Sequence, residues 1–251
     1  YQVRILDRDN WPDVRSLCDG IDLAMVGVPM DVTGQVIRNI GPCLPSKAVL
    51  CDITSVKADP LKEMLQSHAG PVIGLHPLFG PSTSSLDKQI IVATPGRDDD
   101  ACQWILDQFA TWGSVVVRSD AGEHDDIMGI VQALRHFATF AFGQFLKRRA
   151  VSLSRTLEFS SPIYRLELGM VGRLFAQDAA LYSEIIFASE HRRELLRDYL
   201  VSLSENLDML ETGDKQLFQR EFQKIAEWFG PFSEQAMRES TFLIDKLIER
   251  F

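Results

Sequence analysis

Unbroken apolar runs punctuate the chain up to about residue 120. They are Leu23-Ala24-Met25-Val26-Gly27-Val28, Ala48-Val49-Leu50-Cys51-Asp52-Ile53, Val72-Ile73-Gly74-Leu75, Ile90-Ile91-Val92-Ala93 and Val115-Val116-Val117. Runs this short, rich in β-branched residues and without alternation, predict strands covered on both faces in a mostly parallel sheet. A further run, Val3–Leu6, predicts a first strand ending at Asp7. Helical stretches separate the runs: Val32–Ile40, Leu61–Ser67 and Ala101–Trp112. Strand and helix in alternation predict a doubly wound fold.

The pattern changes near Asp120. From there the apolar positions recur with a 3.6-residue period over Asp125–Arg149, Pro162–Ala176, Leu181–Glu211, Asp214–Phe229 and Glu234–Phe251. Ser161 before Pro162, Asp178 and Asp214 stand where helix caps belong, and Gly230-Pro231 separates the last two helices. The expected architecture is therefore α/β then all-α. A Rossmann-like sheet unit is expected over 1–120 and a helical unit over 121–251. The helix at Asp125–Arg149 is apolar nearly all round, since between Ile127 and Leu146 only Arg135 is formally charged. Such a helix is expected to be buried, so Gln132, Arg135, His136 and Thr139 need protein or ligand partners.

Composition narrows the class. The 251 residues are 45% hydrophobic and 24% charged, with a net charge of −9. That suits an ordinary globular protein and argues against nucleic acid or an anionic membrane as the main partner. No apolar run reaches the ~18–20 residues that span a bilayer. Four cysteines without a C-x-x-C pair are neither a disulfide framework nor a zinc pattern, which fits a reducing, cytoplasmic setting. Glu123-His124-Asp125-Asp126 invites a metal reading, but its acids suit a helix start and no second cluster completes a ligand set. No metal is expected.

Three segments carry candidate chemistry. In Gly74-Leu75-His76-Pro77-Leu78-Phe79-Gly80-Pro81 a strand ends on a histidine followed by a rigid turn. Ligands of open α/β sheets bind at carboxyl ends of strands, and a histidine there can exchange a proton near neutral pH. Equally, His76 could simply close a strand. In Asp52-Ile53-Thr54-Ser55-Val56-Lys57, Ser55 and Lys57 could meet a nicotinamide or an anion, or form a polar loop. In Ser160–Arg173, Arg165 and Arg173 lie about 80° apart around a helix and two turns along it. Either could bind a carboxylate, or pair with an acid such as Glu167. A dinucleotide-binding sheet ordinarily opens with a G-x-G-x-x-G turn, and none occurs in these residues. Asp7 nonetheless stands where such folds place the ribose-binding acid. The chain is thus expected to start at the second strand of an N-terminally truncated Rossmann-like sheet.

Taken together, D-I-T-S-V-K, G-L-H-P-L-F-G-P, E-H-D-D-I-M-G-I-V-Q-A-L-R-H-F-A-T-F and S-S-P-I-Y-R-L-E-L-G-M-V-G-R-L-F-A-Q-D resemble prephenate dehydrogenases. The likeness is to the dehydrogenase part of the type fused to chorismate mutase. The resemblance implies oxidative decarboxylation of prephenate with NAD, giving 4-hydroxyphenylpyruvate for tyrosine synthesis. It implies His76 as the group that deprotonates the ring hydroxyl, and Arg173, Arg165, His136 and Lys57 as substrate contacts. Asp7, Val28, Pro29 and Ser55 are implied as NAD contacts. A homodimer formed through a helical dimerisation and substrate domain, and tyrosine as a feedback inhibitor, are implied as well. Three alternatives remain: an arogenate dehydrogenase, a non-catalytic module that binds tyrosine, and another hydroxyacid dehydrogenase.

Overall fold

A computed structural model describes residues 1–80 and 83–249. Pro81, which closes the Gly74–Pro81 segment, lies outside them, as do Arg250 and Phe251 of the last expected helix. The described residues form two compact units. The first comprises Tyr1–Ala133 with Ser183–Ala188, the second Leu134–Tyr182 with Ser189–Phe251.

The first unit is built on one sheet: β1 (Leu23–Val26), β2 (Val49–Asp52), β3 (Val72–Pro77), β4 (Ile90–Arg97) and β5 (Val115–Arg118), in that spatial order. β1, β2 and β3 run parallel, as do β4 and β5, but β3 and β4 are antiparallel. The expected parallel sheet thus has one reversed junction. Among the described residues no helix lies between β3 and β4 to carry the chain back to the starting edge. The antiparallel ladder also lengthens β3 through His76, which pairs with Val92, and Pro77, which pairs with Ile91. His76 therefore sits inside a strand rather than after one.

Helices α1 (Val14–Cys18), α2 (Met30–Ile40), α3 (Ala58–Ser67), α4 (Asp99–Thr111) and α5 (Ala121–Met128) belong to this unit. Two apolar clusters hold it together. One joins Ile73, Leu75, Ile91 and Ala93 of the central strands to Cys102, Ile105 and Leu106 of α4. The other joins Leu50 and Val72 to Ile37 of α2 and Met64 of α3. The central strands are covered on both faces, as their unalternated sequence predicts. Val3–Leu6 forms no ladder: Val3 and Ile5 are exposed, and only Leu6 packs against the second cluster. Its β-rich sequence finds no strand beside it among the described residues, because the sheet ends at β1.

The second unit is helical: α6 (Arg135–Arg148), α7 (Leu153–Glu158), α8 (Pro162–Phe175), α10 (Glu190–Glu211), α11 (Lys215–Phe229) and α12 (Pro231–Ile248). Helix α9 (Ala179–Phe187) is shared between the units in sequence. Ser161, Ser189 and Asp214 cap α8, α10 and α11 by accepting first-turn amides. Gly169 and Gly172 face open space. Close helix approach occurs instead at Gly143, where a β-carbon would lie 2.3 Å from the Phe175 ring.

The helix expected over Asp125–Arg149 is broken by a π-helical segment, Gly129–Leu134, between α5 and α6. Nor is it buried throughout: Ile130, Val131, Phe140, Phe142 and Phe145 are exposed. Helices α11 and α12 bury no residue, and Phe222, Trp228, Met237 and Phe242 stand in the open. Apolar surface on this scale marks an interaction face.

The sheet unit should respond to core truncation in proportion to burial. Ile73→Ala, at a fully buried position, is expected to cost ~2–5 kcal/mol, and Val117→Ala on the exposed edge within ~0.5 kcal/mol of nothing. Urea denaturation of the two variants checks this.

Candidate active site

The carboxyl ends of β2 and β3 bring a polar network into the interior. Lys57 and Asp52 have fully buried side chains, and the Lys57 ammonium is bonded to Asp52. It also donates to the Leu75 carbonyl at 2.7 Å. Burial pulls the Lys57 pKa down, while Asp52 opposes that shift by favouring the charged form. Gly74 makes the pair sterically feasible, since a β-carbon there would approach Lys57 Cδ to 3.0 Å and Asp52 Oδ1 to 3.4 Å. The ammonium of Lys57, a substrate contact by resemblance, is thus bonded inside the protein to Asp52 and Leu75. Its partner carbonyl belongs to the residue preceding His76.

His76 is 3% exposed and His124 1%. His76 Nδ1 lies 2.9 Å from His124 Nε2, and the rings meet edge to face. His124 Nδ1 lies 2.8 Å from Asp125 Oδ1. The Asp125 carboxylate in turn accepts the amides of Lys57 at 2.8 Å and Ala58 at 3.0 Å, at the N-terminus of α3. Partial burial acts to raise the Asp125 pKa, but the His124 ring and the two amides outweigh it and hold the carboxyl below its usual range. On its other side His76 Nε2 is faced by Gln132 Nε2 at 3.3 Å. The buried Gln132 Oε1 has no protein partner among the described residues.

The remaining expected residues divide by unit. In the first, Asp7 is exposed and its Oδ1 accepts the amides of Asp9 and Asn10, forming a local turn. Val28 and Pro29 lie between β1 and α2, and their carbonyls accept the Thr33 hydroxyl at 3.4 and 3.0 Å. Ser55 is half-buried in the loop between β2 and α3. A cleft of about 520 Å³ opens at the starts of α2 and α3, where Asp31, Asp59, Glu63 and Glu184 line it together with Lys62 and the apolar Met30 and Val56. An acidic lining suits a cationic ring such as oxidised nicotinamide better than a phosphate. The first amides of α3 are also committed to Asp125, so that helix start is not open to a phosphate. The charge of this lining is compatible with the nicotinamide half of a dinucleotide, and these residues carry no glycine-rich turn for the pyrophosphate.

In the helical unit, the His136 ring meets Tyr182 edge to face at 4.7 Å. Burial, and then Arg135, lower its pKa, which keeps it neutral at physiological pH. Arg165 Nη2 donates to the Leu157 carbonyl at 3.1 Å. Arg173 is exposed, and no described side chain occupies its guanidinium. Arg135 and Thr139 satisfy each other within α6.

His124, Asp125 and Gln132 join His76 in this candidate site, and the sequence did not single them out as such. The acids of 123–126 read as a helix start, and Asp120 does cap α5 by accepting the Glu123 amide. Gln132 carried a signal as a polar side chain in an apolar stretch. The pairing of His76 with His124 carried none, since 48 residues separate them.

Sequence comparison matches residues 4–118 to the nucleotide-binding domain of prephenate dehydrogenase and residues 120–224 to its dimerization domain. The chain is 46% identical over 97% of its length to a T-protein of Enterobacter agglomerans. It is 42% identical over 98% to a T-protein of Haemophilus influenzae. It spans 65% of the length of each of these relatives. Among solved structures, a prephenate dehydrogenase of Aquifex aeolicus in complex with hydroxyphenyl propionate and NAD+ is similar in fold. Its TM-score is 0.65 at 20% identity, covering 90% of this chain and 79% of that one.

Two stability measurements test the network. Asp52→Asn leaves the buried ammonium without a counter-charge and is expected to cost ~3–5 kcal/mol, whereas the double variant Asp52→Leu/Lys57→Met should recover most of that loss. The Asp125 carboxylate has a lowered folded-state pKa, so its stabilisation is complete above about pH 4 and fades as pH falls through the lower folded value. The difference in denaturation midpoint between wild type and Asp125→Asn should therefore hold from neutral pH down to about 4 and close below it.

Proposed function

The chain belongs to the prephenate dehydrogenase family, and on that premise we propose that it carries out the NAD-dependent oxidative decarboxylation of prephenate to 4-hydroxyphenylpyruvate. The observation that carries the reading is His76: a buried imidazole, held at Nδ1 by a second histidine, with Nε2 turned toward an amide. A ring so held is suited to taking a proton from a substrate hydroxyl. Bound NAD would supply the acceptor for the hydride leaving the ring carbon that bears this hydroxyl. Removing the proton as that carbon becomes a carbonyl lowers the barrier, a contribution typically of ~10²–10⁴-fold. Loss of the ring carboxylate as carbon dioxide is then favoured by aromatisation.

The other roles follow the resemblance, and the local structure supports them unequally. Arg173 has an exposed guanidinium open to a substrate carboxylate. A neutral His136 suits a hydrogen bond to the substrate rather than an ion pair. Arg165 shares its guanidinium with the Leu157 carbonyl and is assigned a supporting part. Lys57 is dropped as a direct contact, because Asp52 and Leu75 hold its ammonium. Asp7, Val28, Pro29 and Ser55 are assigned to NAD, with Asp7 on a ribose hydroxyl. The exposed aromatic faces of α11 and α12, together with the match to a dimerization domain, support a homodimer. Four free cysteines, and described helices none of which is long and apolar enough to cross a membrane, are compatible with the cytoplasm. Tyrosine, which shares the ring and carboxylate of the product, is a candidate inhibitor at the substrate pocket.

NADH formation with prephenate and with arogenate tests the reaction, and turnover of prephenate is the expected result. His76→Asn should cut kcat by ~10²–10⁴-fold and leave KM nearly unchanged. Arg173→Gln should chiefly raise KM. Undiminished turnover in the His76 variant would sink the assignment of the base.

A further inference from the structure

With His124 neutral, the hydrogen-bond chain behind His76 implies where its protons lie. A carboxylate can only accept, so His124 Nδ1, 2.8 Å from Asp125 Oδ1, must carry the proton. In a neutral His124 ring, Nε2 then holds a lone pair. His76 Nδ1, 2.9 Å away, must therefore donate to it. That leaves the lone pair of a neutral His76 on Nε2, where it accepts from Gln132 Nε2 at 3.3 Å, a bond that a substrate hydroxyl would replace. The same chain lowers the cost of charging His76. An imidazolium formed at Nε2 keeps its Nδ1–H bond to His124, and the Asp125 charge lies one ring beyond.

We propose that His124 and Asp125 are positioning residues that lock His76 in its Nε2-basic tautomer and stabilise the imidazolium formed when it takes the substrate proton. The inference rests on the role of His76 as base. In the step concerned, the hydroxyl O–H bond breaks, its electron pair stays to form the carbonyl, and the proton forms a new N–H bond at His76 Nε2. Asp125 is anchored for this task by the Lys57 and Ala58 amides, and Lys57 also grips the Leu75 carbonyl beside His76. The strand, the helix start and both rings are thereby set in one frame. Among the described residues the charged side chain bonded to the pair is Asp125 of α5, whose chain neighbour Glu123 turns to Ser119, and Lys57 and Asp52 lie on the β2–α3 side. Strand β4 opposite presents Val92 and Thr94, which do not ionise. Lys57 and Asp52 neutralise each other, which leaves Asp125 as the charge bonded to the pair.

The experiment compares wild type with His124→Leu, His124→Gln and Asp125→Asn across pH, with His76→Asn alongside. The side-chain amide oxygen that His124→Gln introduces can still accept from His76 Nδ1, so this variant should restore the tautomer without transmitting the carboxylate charge. His124→Leu is expected to lower kcat by ~10²-fold or more with KM within about threefold, and His124→Gln to recover at least ~10-fold of that loss. In Asp125→Asn the acid limb of the kcat profile should move down by about one pH unit. Nitrogen NMR of the wild-type protein supplies a readout that needs neither a variant nor turnover: neutral His76 should show a protonated Nδ1 and a bare Nε2. The opposite tautomer overturns the proposal, and so does an unchanged kcat and acid limb in folded His124→Leu. If His76→Asn is inactive while His124→Leu behaves as wild type, this inference alone fails. If His76→Asn retains full activity, the reading of His76 as base fails with it.

Discussion

Asp125 binds two backbone amides and an imidazole at once, and the arrangement of the first unit turns on it. Its two oxygens take the amides of Lys57 and Ala58 at the start of α3, and they hold the His124 ring. An uncapped helix start and an unpartnered buried ring each cost on the order of 1–3 kcal/mol. One side chain removes both penalties and ties α5 to the carboxyl end of the sheet. The chain's compact units accordingly divide after Ala133, so that α5 and most of the π-helical segment belong with the strands.

Beneath it lies an ion pair whose value is organisational. A buried Lys–Asp pair gains little net stability, because desolvation offsets attraction. Here it crosses from β2 to the β3 backbone at Leu75, passes over a strand position with no side chain at Gly74, and sets the peptide leading into His76. A hydrophobic pair could fill the same volume. It could not bond the carbonyl, so the strand would lose a polar fix next to its functional residue.

The π-helical segment completes the site. Such bulges change the direction in which side chains leave a helix and recur at functional positions. In this chain the bulge presents Gln132 to His76 while the flanking apolar residues stay exposed. The outer faces of the helical unit are more apolar than a solvated monomer would carry, which is the physical basis for assigning it an assembly role.

The linear sequence determined whatever local rules control. Unalternated β-rich runs marked the five strands, the 3.6-residue period marked the later helices, and Ser161 and Asp214 were legible as caps because capping needs only a side chain and an amide three residues on. Motif resemblance singled out His76 and Arg173. Tertiary structure alone decided the rest. It reversed β4 against β3, since strand direction depends on which elements cover the chain between them. It withheld a strand at Val3–Leu6, since a ladder needs a neighbour. It buried Lys57 against Asp52, and it turned an acidic helix start into the support of a histidine 48 residues away. Hydrogen bonds between distant segments leave no periodic trace in a sequence, so the company His76 keeps could be read only once the chain had folded.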